Sequence, residues 1–194
     1  MRKTPVRIVL AALLASAFGA GSARAADEYN LDPMHTGLRF SISHLGLSSV
    51  FGTFKDVSGS FTVDADNPAS SSFAVTIKTD SIDTANAKRD EHLRSPDFFN
   101  VKQFPTITFR STSVKAIDGG LEVTGVVTMH GQKQVVTFPL KGGKKAMFPP
   151  GTQRTGYTAD FVLKRSEFGV GAAKFAQALG DEVAITVSFE GTRK

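Results

Sequence analysis

Polar and apolar residues alternate one by one through separate stretches of this chain, and that two-residue period constrains the fold more than any other feature. Leu38, Phe40, Ile42 and His44 share one face, with Arg39, Ser41 and Ser43 between them. The same rhythm runs through 57–65, 73–78, 106–110, 121–129, 157–164 and 183–190, and 134–140 is apolar on both faces. Successive side chains of a strand point to opposite sides, so the eight stretches read as eight strands. Asp66-Asn67-Pro68, Asp118-Gly119-Gly120, Gly131-Gln132 and Pro149-Pro150-Gly151 supply turn chemistry between them. Short connections favour antiparallel pairing of sequential neighbours. Closing eight such strands into an up-and-down barrel removes the exposed edges. Pro139 has no N–H for a ladder, so a bulge or a strand end is expected there.

One long interruption falls between the third and fourth strands. Residues 81–100 have no strand pattern, and 85–94 predicts a short helix with Asp90 and Arg94 at a favourable i,i+4 spacing. Ser95-Pro96-Asp97 predicts the start of a second helix, with Ser as N-cap and Pro in the first turn. Residues 171–179 can form a further helical turn.

The N-terminus bears on compartment. Arg2, Lys3 and Arg7 precede a charge-free run of 13 residues, Ile8 to Ala20, and Ala23-Arg24-Ala25 follows. That order predicts a secretory signal over 1–25, export to the periplasm and a mature domain over 26–194. The run is shorter than the roughly 20 apolar residues of a membrane span, and none like it follows, so no integral membrane segment is expected after signal removal. The segment carries four of the 23 Lys+Arg and none of the 18 Asp+Glu, so the domain is almost neutral. A nucleic-acid partner, which needs a clustered basic face, is not expected. With no cysteine in the chain, neither disulfides nor a lipid-modified cysteine anchor can form.

Phenylalanine dominates the candidate interior: 15 of the 16 lie in the domain, which has two Tyr and no Trp. A barrel of eight strands either fills with side chains or holds one small ligand. Alternation cannot separate the two, and taken alone it favours a filled core. His35, His44, His92 and His130 fall at no metal-ligand spacing, and no metal or cofactor is expected. His44, beside Phe40 and Ile42, reads best as a hydrogen-bonded structural histidine. No nucleophile elbow, P-loop or dinucleotide fingerprint is present. Arg89, Asp90, His92 and Arg94 are the densest polar cluster; they read as ion pairs pinning the helical insertion, or as a group meeting a polar head at a barrel mouth. An enzyme acting on lipid through Arg89, Asp90 and His92 is the alternative. An outer-membrane barrel would need aromatic girdles that this composition lacks.

Leu31-Asp32-Pro33-Met34-His35-Thr36, Phe40-Ser41-Ile42-Ser43-His44, Ile82-Asp83-Thr84, Arg89-Asp90-Glu91-His92-Leu93-Arg94, Asp97-Phe98-Phe99-Asn100, Gly125-Val126-Val127-Thr128-Met129-His130-Gly131 and Arg165-Ser166-Glu167-Phe168-Gly169 follow one another in an order that resembles the YceI family. Gln132-Lys133-Gln134-Val135 departs from it in lacking a proline. The resemblance implies a lipocalin-like barrel that binds a polyisoprenoid or another long-chain amphiphile (an isoprenoid lipid, a quinone, a polyprenyl phosphate or a fatty amphiphile) and does no catalysis; a homodimer is compatible with it. The residues expected to line the pocket are Phe40, Ile42, His44, Phe73, Val75, Ile77, Phe98, Phe99, Phe109, Val127, Met129 and Phe161, with Arg89, His92 and Arg165 for a head group; Arg165, at a strand end, reads equally as structural.

Overall fold

A computed structural model describes residues 26–171 and 173–194; the expected export signal lies outside the described residues. Eleven strands run in chain order: β1 (Asp27–Leu31), β2 (Gly37–His44), β3 (Ser48–Phe54), β4 (Val57–Val63), β5 (Ser72–Lys78), β6 (Ile82–Asp83), β7 (Thr106–Ile117), β8 (Gly120–Met129), β9 (Gln132–Met147), β10 (Gln153–Lys164) and β11 (Leu179–Arg193). One helix, α1 (Ala87–Arg94), stands between β6 and β7.

These eleven occupy eight positions of a closed antiparallel barrel, because three positions hold a broken strand. β1 and β2 both pair with β11, through Leu31↔Gly191 and then Leu38↔Val187. β4 and β3 pair with β1 and β2 respectively, and β5 and β6 pair with β4 and β3. The remaining positions follow in sequence, β5–β7–β8–β9–β10–β11, and β11 closes on β1. The all-β, eight-stranded antiparallel barrel with its helical insertion after the third position is the expected fold.

The breaks have local causes. Pro33 cannot donate to a ladder, and Asp32 accepts from the Met34 N–H at 3.0 Å, turning Pro33–His35 into a 3-10 turn. The second break, at Lys55 and Asp56, locks onto the third, Thr79–Ser81: the Lys55 N–H donates to the Ser81 carbonyl at 3.2 Å and the Asp56 N–H to Ser81 Oγ at 3.1 Å. The breaks therefore sit side by side on three neighbouring strands, where the barrel wall bends.

Pro139 neither ends β9 nor bulges it. It pairs in register with Glu122 of β8. The ladder from β9 to β10 covers only Lys141–Thr158 onward to Met147–Gln153. Pro139 thus lies where β9 has one strand partner, and its missing N–H leaves no gap in a second ladder. Residues 95–103 form turns instead of a second helix, because Ser95 caps α1 at its C-terminus, its N–H donating to the His92 carbonyl at 3.1 Å. Residues Ala173–Phe175 make a 3-10 turn.

The two ends of the barrel are filled differently. At the end holding both chain termini of the domain, Tyr29, Phe61 and Phe73 stack in sequence at 5.0 and 5.5 Å, with Tyr157 and Phe189 edge-on to Phe61. Glycines make room for such rings: a Cβ at Gly191 would lie 2.4 Å from Phe61, one at Gly52 2.3 Å from Phe40, and one at Gly125 2.5 Å from Phe109. The opposite end carries α1 and the 165–178 segment, and there the interior is not filled.

Candidate functional site

A cavity of about 640 Å³ occupies the α1 half of the barrel. Its floor is the filled half, where Phe73, Phe138 and Leu140 belong both to the packed cluster and to the cavity wall. Ile42, Val50, Val183 and Ile185 face inward yet remain half-buried, because the space they border is inside the barrel. The walls are almost wholly hydrocarbon and aromatic. Polar groups gather at the mouth, where His44, Ser48, Thr84, Arg89 and His92 join the lining.

The mouth is organised by Thr84. Its N–H and Oγ1 donate to Asp90 Oδ1 at 2.8 and 2.6 Å, burying that carboxylate. Arg89 donates from Nε to Thr84 Oγ1 and from Nη2 to the Thr84 carbonyl, both at 2.7 Å. Asn86 caps α1 through the Arg89 N–H at 3.1 Å. Arg94 donates to the Asp80 and Ile82 carbonyls at 2.8 and 2.7 Å. The expected Asp90–Arg94 pair does not form, since each side chain is committed to backbone or threonine groups that pin α1 to the barrel. Across the mouth, Asp97 receives Lys174 at 2.9 Å and His92 at 3.1 Å, and these two hold its carboxyl below the usual carboxylate range. The His92 ring meets Phe98 and Phe175 edge-on.

All fifteen residues singled out from the sequence border this cavity. One of them differs from expectation in its chemistry, and Arg165 takes the structural of its two readings. His44 is not a hydrogen-bonded structural histidine: its ring has no hydrogen-bond partner among the described residues and faces the mouth. Arg165 is a clamp. Its buried guanidinium donates to the carbonyls of Gly180 (2.9 Å), Gly171 (2.9 Å), Val170 (3.1 Å) and Leu179 (3.4 Å), tying together both ends of the segment that carries Phe175. The sequence reading missed Val50 and Phe54 on β3, and Val170, Phe175 and Leu179 on that segment. It also passed over Val183, Ile185, Val187 and Phe189, although their alternation had put them on one face of β11.

The enzyme alternative finds little support in this geometry. Arg89 and Asp90 are spent on Thr84, and the side-chain hydrogen bond of His92 goes to Asp97, not to a hydroxyl nucleophile. Asp32, His35 and Glu190 do converge within 4.8 Å on the outside of the filled end. The cation they meet is Arg154, which donates to Asp32 at 2.5 Å and to Glu190 at 3.2 Å. His35 and Arg154 together hold the Asp32 carboxyl down at about 2.

Residues 29–191 match the model of the YceI-like domain. The chain belongs to the YceI family. Protein YceI of Salmonella arizonae is 41% identical over 196 aligned positions, covering both chains in full. Among solved structures, Burkholderia cenocepacia BcnA superposes with a TM-score of 0.75 at 24% identity, covering 82% of this chain and 98% of its own. The Campylobacter jejuni YCEI protein does so at 0.68 and 29%, covering 78% and 90%. A polyisoprenoid binding domain from Saccharophagus degradans, at 0.64 and 14%, covers 86% and 98%. The stretches through which this YceI domain resembled its family are largely structural: Asp32 to Thr36 is the first strand break, Arg89 to Arg94 is α1, and Arg165 is the clamp.

Proposed function

We propose that this protein is a periplasmic, non-catalytic binding protein that holds a polyisoprenoid or similar long-chain amphiphile for carriage, storage or sequestration. The hydrocarbon tail lies in the barrel cavity and the polar head stays at the mouth, near Arg89 and His92. The observation that carries this reading is the pairing of a long apolar wall with polar groups gathered mainly at one end. At about 30 Å³ per water- or methylene-sized group, the cavity holds at least about twenty such groups, or about four isoprene units. Burial at about 0.8 kcal/mol per methylene supplies ample driving force before ordering costs are subtracted. The shared fold of the Saccharophagus degradans polyisoprenoid binding domain supports the ligand class, and the basic, apolar, small-residue order of 1–25 supports export. Helices do not argue against a non-membrane domain: among the described residues none is long and apolar enough to span a bilayer.

The test is native mass spectrometry of protein purified from the periplasm, followed by organic extraction. The expected result is a bound long-chain species that leaves with solvent, and stoichiometric uptake of added geranylgeraniol by extracted protein. Protein that yields no such species and takes up no isoprenoid alcohol is not a lipid carrier. Added lipid recovered chemically changed after incubation would restore the enzyme reading.

A further inference from the structure

We propose that the tip of the β2–β3 hairpin, Leu45-Gly46-Leu47, docks the cavity mouth onto an anionic lipid bilayer. This rests on the lipid-binding reading above and adds the surface from which cargo is taken.

The hairpin is part of the rim. His44 and Ser48, the last paired residues before the tip, line the cavity, as do Ile42 and Val50 behind them. The Leu45 N–H donates to the Ala178 carbonyl at 2.7 Å, which joins the tip to the segment on the other side of the mouth. Scattered exposed leucines need no explanation. Here the apolar side chains are concentrated: Leu47 is 83% exposed, Leu45 54% and the outward Phe51 62%, on a hairpin whose other exposed residues are serines, glycines and Arg39.

Leu45 is also held at φ +54, a conformation that glycine or asparagine adopts far more readily than leucine. Its side chain is exposed and adds nothing to either packed cluster. A strained backbone carrying an exposed apolar side chain points to a use outside the fold.

Charge selects the partner. At the filled end, cations meet carboxylates: Lys145 and Arg193 on Asp27, Arg154 on Asp32 and Glu190, Lys194 on Glu28. At the mouth, Arg89, Arg94 and Arg165 hydrogen-bond only to carbonyl or hydroxyl oxygens, although Arg94 lies near Asp83 and Arg165 near Asp181. Asp97 is already shared by Lys174 and His92, leaving the exposed Glu91 as the acid of α1 that faces solvent. An apolar tip on a rim that carries the exposed Arg89 suits an anionic leaflet. A second copy of the same mouth would set like charges against each other.

The chain contains no tryptophan, so Leu47→Trp introduces a single reporter at the tip and Met147→Trp one at the filled end. Mixed with vesicles of phosphatidylglycerol and phosphatidylethanolamine, the Leu47→Trp emission is expected to shift to the blue, and less so with phosphatidylcholine alone. The Met147→Trp emission is expected to stay where it is. Leu45→Asp/Leu47→Asp is expected to take up geranylgeraniol from detergent micelles as the parent does, and to take it from anionic vesicles at least tenfold more slowly. The proposal fails if Leu47→Trp shows no shift on any vesicle while uptake from micelles is intact, a result that leaves the lipid-binding reading standing. It fails equally if the shift follows protein concentration without vesicles, which would make the tip a contact between copies. Loss of micellar uptake in the parent protein would remove the reading beneath it.

Discussion

Filling the cavity by mutation separates a binding chamber from a hydrophobic core. Ile42 and Ile185 both face the cavity and neither packs against the two clusters of buried residues. Ile42→Phe/Ile185→Phe adds three carbons and removes two hydrogens at each site, a gain of about 25 Å³ each and roughly 50 Å³ in all, close to two methylene-sized groups at about 30 Å³. That is less than a tenth of the 640 Å³ available. Phenylalanine suits strands as well as isoleucine and brings no polar atom to bury. In a filled core each such enlargement costs about 1–3 kcal/mol through displaced neighbours. Bordering open space, the pair is expected to change unfolding free energy by less than about 1 kcal/mol, read from urea denaturation of the extracted protein. Binding responds differently. Two displaced methylene-sized groups at about 0.8 kcal/mol each set an upper bound of about 1.6 kcal/mol. A flexible chain recovers roughly half by sliding towards the mouth, leaving about 0.8 kcal/mol, or an affinity for geranylgeraniol lower by about fourfold. A variant that loses several kcal/mol of stability would mean that these walls are packed. One that keeps both stability and affinity would mean that the chain lies elsewhere.

Other perturbations report on the mouth and the frame. Arg165→Met strands four carbonyls at once and is expected to cost about 2–4 kcal/mol, visible as a lower Tm and as faster amide exchange over 170–180. Arg89→Gln is expected to weaken binding of a phosphate-headed isoprenoid by about five- to tenfold and that of the corresponding alcohol hardly at all; equal losses for the two would remove Arg89 from the head-group site. Asp32 titrates at about 2 in the folded protein against an ordinary 3.8, so the native state favours its charged form. That stabilisation is complete above about pH 4 and is lost as pH falls towards 2, so the parent should give up about 1–2 kcal/mol over that window relative to Asp32→Asn in acid titrations of stability. Amides of β9 over 132–140 on the side turned to β10 are expected to exchange faster than those facing β8, because only the latter join a ladder.

The sequence shows the ring of strands more clearly than its use. All eight barrel positions were legible, because 38–44 and its counterparts keep one apolar face over several residues. The segments missed were those without that regularity. β3 reads Ser-Ser-Val-Phe-Gly-Thr-Phe: Phe51 points out, Phe54 points in, and the inward Gly52 is a gap that Phe40 fills from the next strand. β1 offers only Tyr29 and Leu31, and its Asp27 is buried through Lys145 and Arg193 from the far end of the chain. Pairings over that separation leave no local trace. The cavity was not legible at all, since Phe73 and Ile185 are equally apolar and inward. What distinguishes them is whether a ring from a neighbouring strand reaches across. The mouth was half legible: Arg89 and His92 stood out as a polar cluster, but nothing local says that Thr84 engages Asp90 and Arg89 or that Arg165 is spent on carbonyls.

The stacked Tyr29, Phe61 and Phe73 at the filled end have a consequence for how such a chain can change over time. With Tyr157 and Phe189 edge-on against Phe61, they join strands from both ends of the domain without help from Ile42, Val50, Val183 or Ile185. Those four positions are then free to drift among apolar residues without approaching the stability threshold that purges most core substitutions. A saturation library at the four sites, sorted first for folding and then for chain-length preference, should therefore yield many folded variants with divergent appetites for cargo, while the same library built on Phe61 and Phe73 should yield few that fold.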